Sequence, residues 1–542
     1  MVRTVTGTRA ATRIGGHVVA ETLRALGAEV VFGIPGVHAL PMWEGLRATD
    51  LRVLGFRQEL NAAFAADGHA RVTGRPAPLV VSTGPGAFMT LGALAEASTA
   101  FVPVVVISSQ IETDAIARGR GALHETPDQT ASFTPLVKWT GRASSPSEIP
   151  SILAEAWHEA ARPPQGPVYV EMPFDVLHAE ADDAGAEHGA LRDVHAHPSD
   201  DLERAARLLT ESERPLVIAG GGVVRSHASA VLLELARRLD APIATTYTGK
   251  GAIPERDPLC VGSAWDEAAH RELVSSADVV LAVGSWLGYE FTESFHGFAG
   301  TLIQVDAAPE RIGVNVPALG LVGDAETILR TLLDRIESSS RRDGEARAAA
   351  VRGRIEAHLA SSEGRLTLGV LDSVESVLDD VGAASWDSTI LAYAACWYLH
   401  ASNPRQFLYP AGSSTLGYAF PAALGAAAAL PGERVLAVVG DGGFQYGIAE
   451  LATAVQHRLD VTLLIVDDGG YGILREYQDE AGFAHSGVDL EHPDFLALFG
   501  AYGVPARRTT PEGLGNDLRE ALGQLGPAAV VLEAELRMPI PG

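Results

Sequence analysis

Asp441 and Asp468 lie 27 residues apart, each beside glycines at the end of an apolar run. The first sits in Gly440-Asp441-Gly442-Gly443 after residues 434–439, the second in Asp467-Asp468-Gly469-Gly470 after residues 461–466. Residues 445–457 between them carry a helical pattern, so the order reads strand, glycine turn, helix, strand. Such a crossover brings two strand ends together at one edge of a parallel sheet. Two carboxylates there can ligate a hard divalent cation, and bare glycine backbone lets amides approach phosphate. The pattern therefore predicts a site for a magnesium-bound diphosphate. Asp-Gly pairs are also common in plain turns, so the spacing rather than the dipeptide carries the inference.

A similar unit stands earlier in the chain. Residues 78–81 read as a strand, followed by Ser82-Thr83-Gly84-Pro85-Gly86-Ala87-Phe88, a helical stretch at 90–99 and an apolar strand at 102–108. Strand, Gly-x-Gly, Phe, helix, strand thus occurs twice, which predicts a distant duplication of one α/β unit. Just before the first copy, Glu59 separates an apolar strand at 53–56 from an Ala-rich helix at 60–66. A carboxyl at such a junction should have a raised pKa, suited to moving a proton; a helix N-terminal Glu favoured by the dipole is the plainer reading.

The middle of the chain is also α/β, with strands at 215–219, 278–283 and 302–305 ending in Gly220-Gly221-Gly222, Gly284 and Asp306. Linker-like composition at 179–200, with His188, His195 and His197, and at 337–346 divides the 542 residues into segments 1–180, 200–336 and 365–542. A charged helical connector covers 347–362. The expected fold is α/β, with three doubly wound parallel-sheet domains.

Composition sets limits. With 41 Lys plus Arg against 68 Asp plus Glu, the formal charge is -27, which disfavours nucleic acid and anionic membrane as partners. The two cysteines, Cys260 and Cys396, give no disulfide framework and fit a reducing cytoplasm. Residues 1–16 lack the apolar core of a signal peptide, and the Ala-rich run at 419–430 is too short to span a bilayer.

Five segments in order resemble thiamine diphosphate-dependent enzymes of the acetolactate synthase and benzoylformate decarboxylase type. They are Val31-Phe32-Gly33-Ile34-Pro35-Gly36, Arg57-Gln58-Glu59, Ser82-Thr83-Gly84-Pro85-Gly86, the stretch 412–421 and the Gly440 motif. The resemblance names the three domains pyrimidine-binding, central and diphosphate-binding. It implies that Glu59 bonds the pyrimidine of the cofactor and promotes its reactive tautomer. It implies that Asp441, Asp468 and the Gly470 carbonyl hold Mg2+, that Gly84, Gly440, Gly442, Gly443 and Ile473 contact the cofactor, and that Leu416 bends it. His124, in Ala122-Leu123-His124-Glu125, becomes a candidate for carboxylate binding or acid–base work. Leu123, Lys138, Leu474 and Tyr477 become candidates for the substrate pocket; Ile473 and the last two also suit one apolar helix face.

The implied reaction is that of an acetolactate synthase-like carboligase: a 2-oxo acid loses carbon dioxide and the enamine adds to a second carbonyl. The alternatives are a decarboxylase that releases an aldehyde, or a paralogue that binds the cofactor without turnover. A homodimer or homotetramer with its active site at the subunit interface is implied, with a small 2-oxo acid as substrate. The chain departs from the family in four places. Asp467 stands where Asn is usual, adding a charge that predicts stronger dependence on the metal. Leu123 replaces a Phe and Gln58 a His, which weakens the case for pyruvate. Gly262-Ser263-Ala264-Trp265 replaces a loop associated with FAD, which counts against that cofactor although Gly220-Gly221-Gly222 and Gly249-Lys250-Gly251 allow it.

Overall fold

The structure is a computed structural model that describes residues 12–182, 199–338 and 343–542. His188, His195 and His197, with residues 183–198 and 339–342 of the two linker-like stretches, lie outside the described residues. The chain forms two compact units, Met1–Arg192 and Asp193–Gly542.

The first unit holds a parallel sheet of 6 strands. Across the sheet the strands run Arg52–Gly55, Val30–Gly33, Ala77–Val81, Val104–Gln110, Val168–Pro173 and Trp139–Arg142. Ala77–Val81 and Val104–Gln110 are buried along their whole length, as expected of strands covered by helices on both faces. Val80, Val105 and Ile107 pack there with Leu23 and Leu153 from helices Gly15–Ala25 and Ile149–Ala161.

The second unit holds two parallel sheets. One has 6 strands in the order Leu319–Val322, Thr301–Asp306, Val279–Val283, Pro215–Ala219, Ile243–Thr245, Cys260–Gly262. That is a doubly wound sheet with its switch point between Pro215–Ala219 and Val279–Val283. The other has 5 strands in the order Ala383–Trp386, Val435–Gly440, Val461–Asp467, Ala528–Glu533, Ala506–Thr509. A buried ion pair joins the segments: Lys250 Nζ donates to Glu255 Oε2 at 2.8 Å, Ser263 Oγ at 2.9 Å and the Leu399 carbonyl at 2.7 Å.

The sheet of the first unit and the last sheet share one plan. Leaving aside the edge strand Arg52–Gly55, both place their strands in the chain order first, second, third, fifth, fourth. The Gly84 turn and the Gly440 turn each follow the second strand of that plan, which agrees with the expected duplication.

Two expectations about elements need correction. The helix expected at 445–457 begins at once, as Asp441–Tyr446, breaks at Gly447, and resumes as Leu451–His457. The break sits where Gly447 packs on Phe420 and Pro421. The helix expected at 60–66 runs Glu59–Thr73, so Glu59 is its first residue. Among the described residues, no helix is long and apolar enough to cross a membrane.

Candidate active site

In the last sheet, Val435–Gly440 and Val461–Asp467 lie side by side in parallel register, so Asp441 and Asp468 emerge from neighbouring C-terminal ends. One cavity is lined by Leu416, Gly440, Asp441, Gly442, Gly443, Asp468, Gly470, Ile473 and Leu474. Tyr477, one turn beyond Leu474 on helix Gly472–Glu480, is exposed and does not line it.

The Asp441 side chain is 1% exposed, and burial followed by the charge of Asp468 pushes its pKa up to about 7. Burial likewise raises Asp468, against the pull of Arg475. Asp441 Oδ2 and Asp468 Oδ1 are both buried without a hydrogen-bond partner, and the second has a cation near it, Arg475 Nη1 at 3.6 Å. Buried carboxylate oxygens without partners are costly unless a cation meets them. The donor set therefore fits a hard divalent ion, with glycine backbone beside it for a diphosphate.

The loop that carries Asp468 is locked from behind. Arg475 donates to the carbonyls of Asp468 at 2.8 Å and Gly469 at 2.7 Å, and to Asp489 Oδ1 at 2.8 Å. The next carbonyl along the chain is that of Gly470. Gly472 is required by close approach, since a Cβ there would lie 2.0 Å from Asp468 Oδ2.

Two residues here escaped the sequence reading. His492 pairs with Asp467 at 3.0 Å, and Asp441, Asp467 and His492 place ligand atoms within 4.8 Å of one another. Burial lowers the His492 pKa, but the Pro493 carbonyl, Asp467 and Asp441 outweigh it and the net direction is up. When protonated, His492 would offset the extra charge of Asp467. Asp387, wholly buried at the end of Ala383–Trp386, accepts the amides of Ser388 at 2.9 Å and Gly417 at 3.1 Å. An acidic residue just after an apolar strand was its only signal in the sequence; His492 had none.

In the first unit, Glu59 stands half-buried at the strand-to-helix junction, and burial raises its pKa against a backbone hydrogen bond. Its Oε1 would lie 3.3 Å from a Cβ at Gly86. A Cβ at Gly84, which has φ 63°, would meet His124 Cβ at 3.0 Å. Glu59 and His124 therefore flank one Gly84-Pro85-Gly86 turn. Glu125 shapes the loop that carries His124 by accepting the amides of Gly119, Gly121 and Ala122 at 2.7, 2.6 and 3.0 Å. Leu123 in the same loop is exposed.

Lys138 is not brought to this place. It precedes Trp139–Arg142, so it lies at the N-terminal edge of a parallel sheet whose C-terminal edge carries Glu59 and Gly84. Its ammonium is spent on the Arg162 carbonyl. The glycines of the central sheet are explained by close packing of the chain on itself. Cβ atoms at Gly220, Gly249 and Gly251 would lie 2.3 Å from the Gly284 carbonyl, 2.1 Å from that of Ala219 and 2.4 Å from that of Asn403.

Three fully parallel α/β sheets, one with paired carboxylates at a glycine edge, define a cofactor-dependent enzyme of the α/β class. Family models for the N-terminal thiamine pyrophosphate-binding domain, the central domain and the C-terminal thiamine pyrophosphate-binding domain of thiamine pyrophosphate enzymes match residues 13–132, 202–332 and 388–532. The chain belongs to the thiamine pyrophosphate enzymes. It is 36% identical to a Pseudomonas aeruginosa protein described as "Probable 2-ketoarginine decarboxylase AruI", over 96% of this chain and 94% of that one. It is 32% identical to the "Probable acetolactate synthase large subunit" of Methanocaldococcus jannaschii, over 94% and 90%. It is 30% identical to the "Acetolactate synthase large subunit" of Corynebacterium glutamicum, over 92% and 82%.

Proposed function

We propose that this enzyme uses thiamine diphosphate and Mg2+ to remove carbon dioxide from a small 2-oxo acid, and that release of an aldehyde is its main outcome. The observation that carries this reading is the placement of Glu59 and His124 on either side of the Gly84-Pro85-Gly86 turn. A titratable ring beside the cofactor-side carboxylate can supply the proton that aldehyde release requires. The 36% identity to a protein named as a decarboxylase supports it further. Carboligation of the acetolactate synthase type is the second reading, supported by the relatives bearing that name.

In this reading Asp441, Asp468 and the Gly470 carbonyl hold the metal. Gly440, Gly442 and Gly443 accept the diphosphate closely, and Leu416 and Ile473 pack against the cofactor. When bound there, thiamine diphosphate would supply a carbon nucleophile that adds to the 2-oxo acid and a cationic ring that takes up the electron pair left when carbon dioxide departs. Glu59, whose pKa burial raises, would exchange a proton with the pyrimidine of the bound cofactor. Leu474 borders the substrate, Leu123 and Tyr477 stand at its open, solvent-facing side, and Lys138 takes no part. The domains run over 1–180, 200–336 and 365–542. The active enzyme is a cytoplasmic homodimer or homotetramer whose sites lie at the subunit interface, and no step needs FAD.

The test is turnover of a 2-oxo acid panel, including pyruvate and an acid with a guanidinium side chain, with thiamine diphosphate and Mg2+. Carbon dioxide is followed and the organic product identified. Aldehyde as the main product supports the reading. A 2-hydroxy ketone as the main product moves it to carboligation, and no carbon dioxide from any acid overturns both.

A further inference from the structure

The Gly84 turn leaves its sheet with two amides that no strand takes up. Strand Ala77–Val81 pairs with Val104–Gln110 as far as Val81 opposite Ser108, and the ladder ends there. Beyond it, the Thr83 N–H donates to Ser109 Oγ at 3.0 Å and the Gly84 N–H to Gln129 Oε1 at 2.6 Å. Gln129 is 1% exposed and opens helix Gln129–Phe133, which Asp128 caps by accepting the Ala131 amide. Gly84 has φ 63° and ψ -112°, a conformation that a residue with a side chain would resist. The Gln129 amide thus fixes the chain where it turns most sharply.

The other end of Gln129 is equally committed. Its Nε2 donates to Tyr169 Oη at 2.6 Å and to the Ser109 carbonyl at 3.3 Å. These partners settle which way the amide faces: turned over, its NH2 would meet the Gly84 N–H and its oxygen the Ser109 carbonyl. Tyr169 in turn donates to Glu171 Oε1 at 3.2 Å, and Arg142 Nε donates to Glu171 Oε2 at 2.7 Å. Burial and then the charge of Glu171 push the Tyr169 pKa far up, so the hydroxyl keeps the hydrogen it donates. Tyr169 and Glu171 are both 0% exposed, and Phe133 of the short helix stacks on the Tyr169 ring at 3.8 Å. From Gly84 to Gln129 to Tyr169 to Glu171, every donor points the same way. Each bond therefore polarises the next in surroundings of low dielectric, and the carboxylate charge strengthens the hold on Gly84.

This buried row steadies the backbone beneath Glu59. The Gly84 carbonyl accepts the Phe88 N–H at 2.9 Å, so the set of the Gly84 peptide carries through Pro85 and Gly86. Gly86 stands so near that a Cβ on it would lie 3.3 Å from Glu59 Oε1. A tilt at Gly84 would push Gly86 into the Glu59 carboxyl or draw it away.

We propose that Gln129 is a positioning residue for the reaction: gripping Gly84 at one end and the Tyr169–Glu171 pair at the other, it holds the Gly84-Pro85-Gly86 turn where the Glu59 carboxyl can exchange its proton with the bound cofactor. The proposal rests on the reaction proposed above and on the place of Glu59 in it.

The test uses two variants. Gln129→Leu keeps the volume and removes both bonds. Gln129→Glu replaces them only while the new carboxyl is protonated, when its C=O accepts from Gly84 and its O–H donates to Tyr169. Tyr169 and Glu171 face this position from strand Val168–Pro173, Arg142 stands behind Glu171, and His124 lies across the Gly84 turn. Buried beside Glu171, the new carboxyl titrates upward. Exchange of the Gly84 amide with D2O is followed by NMR in the cofactor-free proteins. Exchange of the thiazolium C2 hydrogen of bound thiamine diphosphate reports the proton step without substrate. Turnover is measured on the best 2-oxo acid.

In Gln129→Leu we expect the Gly84 amide to exchange at least about 10²-fold faster, and C2 hydrogen exchange and kcat to fall together by about 10²-fold with KM within a few-fold. In Gln129→Glu both rates recover in mild acid and are lost as pH rises, a limb that Gln129→Leu lacks. A Gly84 amide as protected in Gln129→Leu as in wild type overturns the grip. An unchanged C2 hydrogen exchange in Gln129→Leu overturns the positioning role, as does a Gln129→Glu pH profile that matches that of Gln129→Leu. Wild-type protein that releases no carbon dioxide from any 2-oxo acid overturns the reaction instead; the Gly84 amide, which needs neither cofactor nor substrate, tells the two failures apart.

Discussion

Both carboxylate oxygens of Asp387 accept the backbone N–H of Gly417, at 3.1 Å each, so a wholly buried side chain fixes the residue that follows Leu416. Asp387 also limits its neighbour, since a Cβ at Gly443 would lie 2.6 Å from its Oδ2. One carboxylate thus positions two parts of the cavity that are distant in sequence. Asp387→Ala orphans the amides of Ser388 and Gly417, at about 1–3 kcal/mol each. We expect a loss of that order in urea unfolding, with weaker thiamine diphosphate binding by calorimetry.

Glu59→Gln keeps shape and hydrogen bonding but cannot exchange a proton. Cofactor binding should stay within a few-fold of wild type, and kcat should fall by about 10²–10⁴. Steady-state turnover beside a cofactor titration checks this, and an unchanged kcat would remove Glu59 from the mechanism.

Burial pushes Asp387 and Asp441 up to about 7 in the metal-free chain. The folded state therefore holds protons that the unfolded chain releases from about pH 4 upward. Stability of the metal-free protein should be highest in mild acid and fall as pH rises towards 7, with no further loss from these two groups above that. Mg2+ and diphosphate should restore the part due to Asp441, and their affinity should weaken below pH 7. Thermal melts between pH 5 and 8, with and without the ligands, measure both effects.

Gly472→Ala drives a methyl group into Asp468 Oδ2, which would be only 2.0 Å away. We expect a loss of Mg2+ affinity of at least tenfold by titration, with folding retained by circular dichroism.

Lys250 and Glu255 pair with both side chains 0% exposed. Lys250→Met leaves a buried carboxylate uncompensated, at a cost of about 3–5 kcal/mol. Pairing it with Glu255→Gln should recover much of that loss in urea unfolding.

What could be read from the chain alone was local. Apolar runs ending in Gly440-Asp441-Gly442 and Ser82-Thr83-Gly84 announce strand, turn and helix, because backbone geometry is written in a few adjacent residues. The shared strand order and the closeness of Asp441 to Asp468 follow from that, since a parallel crossover leaves little choice of where its strand ends lie. Lys138 shows the limit: a motif-like position says nothing about which end of a strand faces the site. Leu123 shows a second limit, because its exposure depends on the loop that Glu125 gathers. His38 against His124, His492 against Asp467 and Asp387 against Gly417 join residues 86, 25 and 30 positions apart. No local periodicity encodes such pairs. The amino-acid sequence determined the sheets, their turns and the carboxylates at their ends. Tertiary packing decided which of those groups are buried and which charges and rings meet, because burial and Coulomb energy depend on distance in space rather than along the chain.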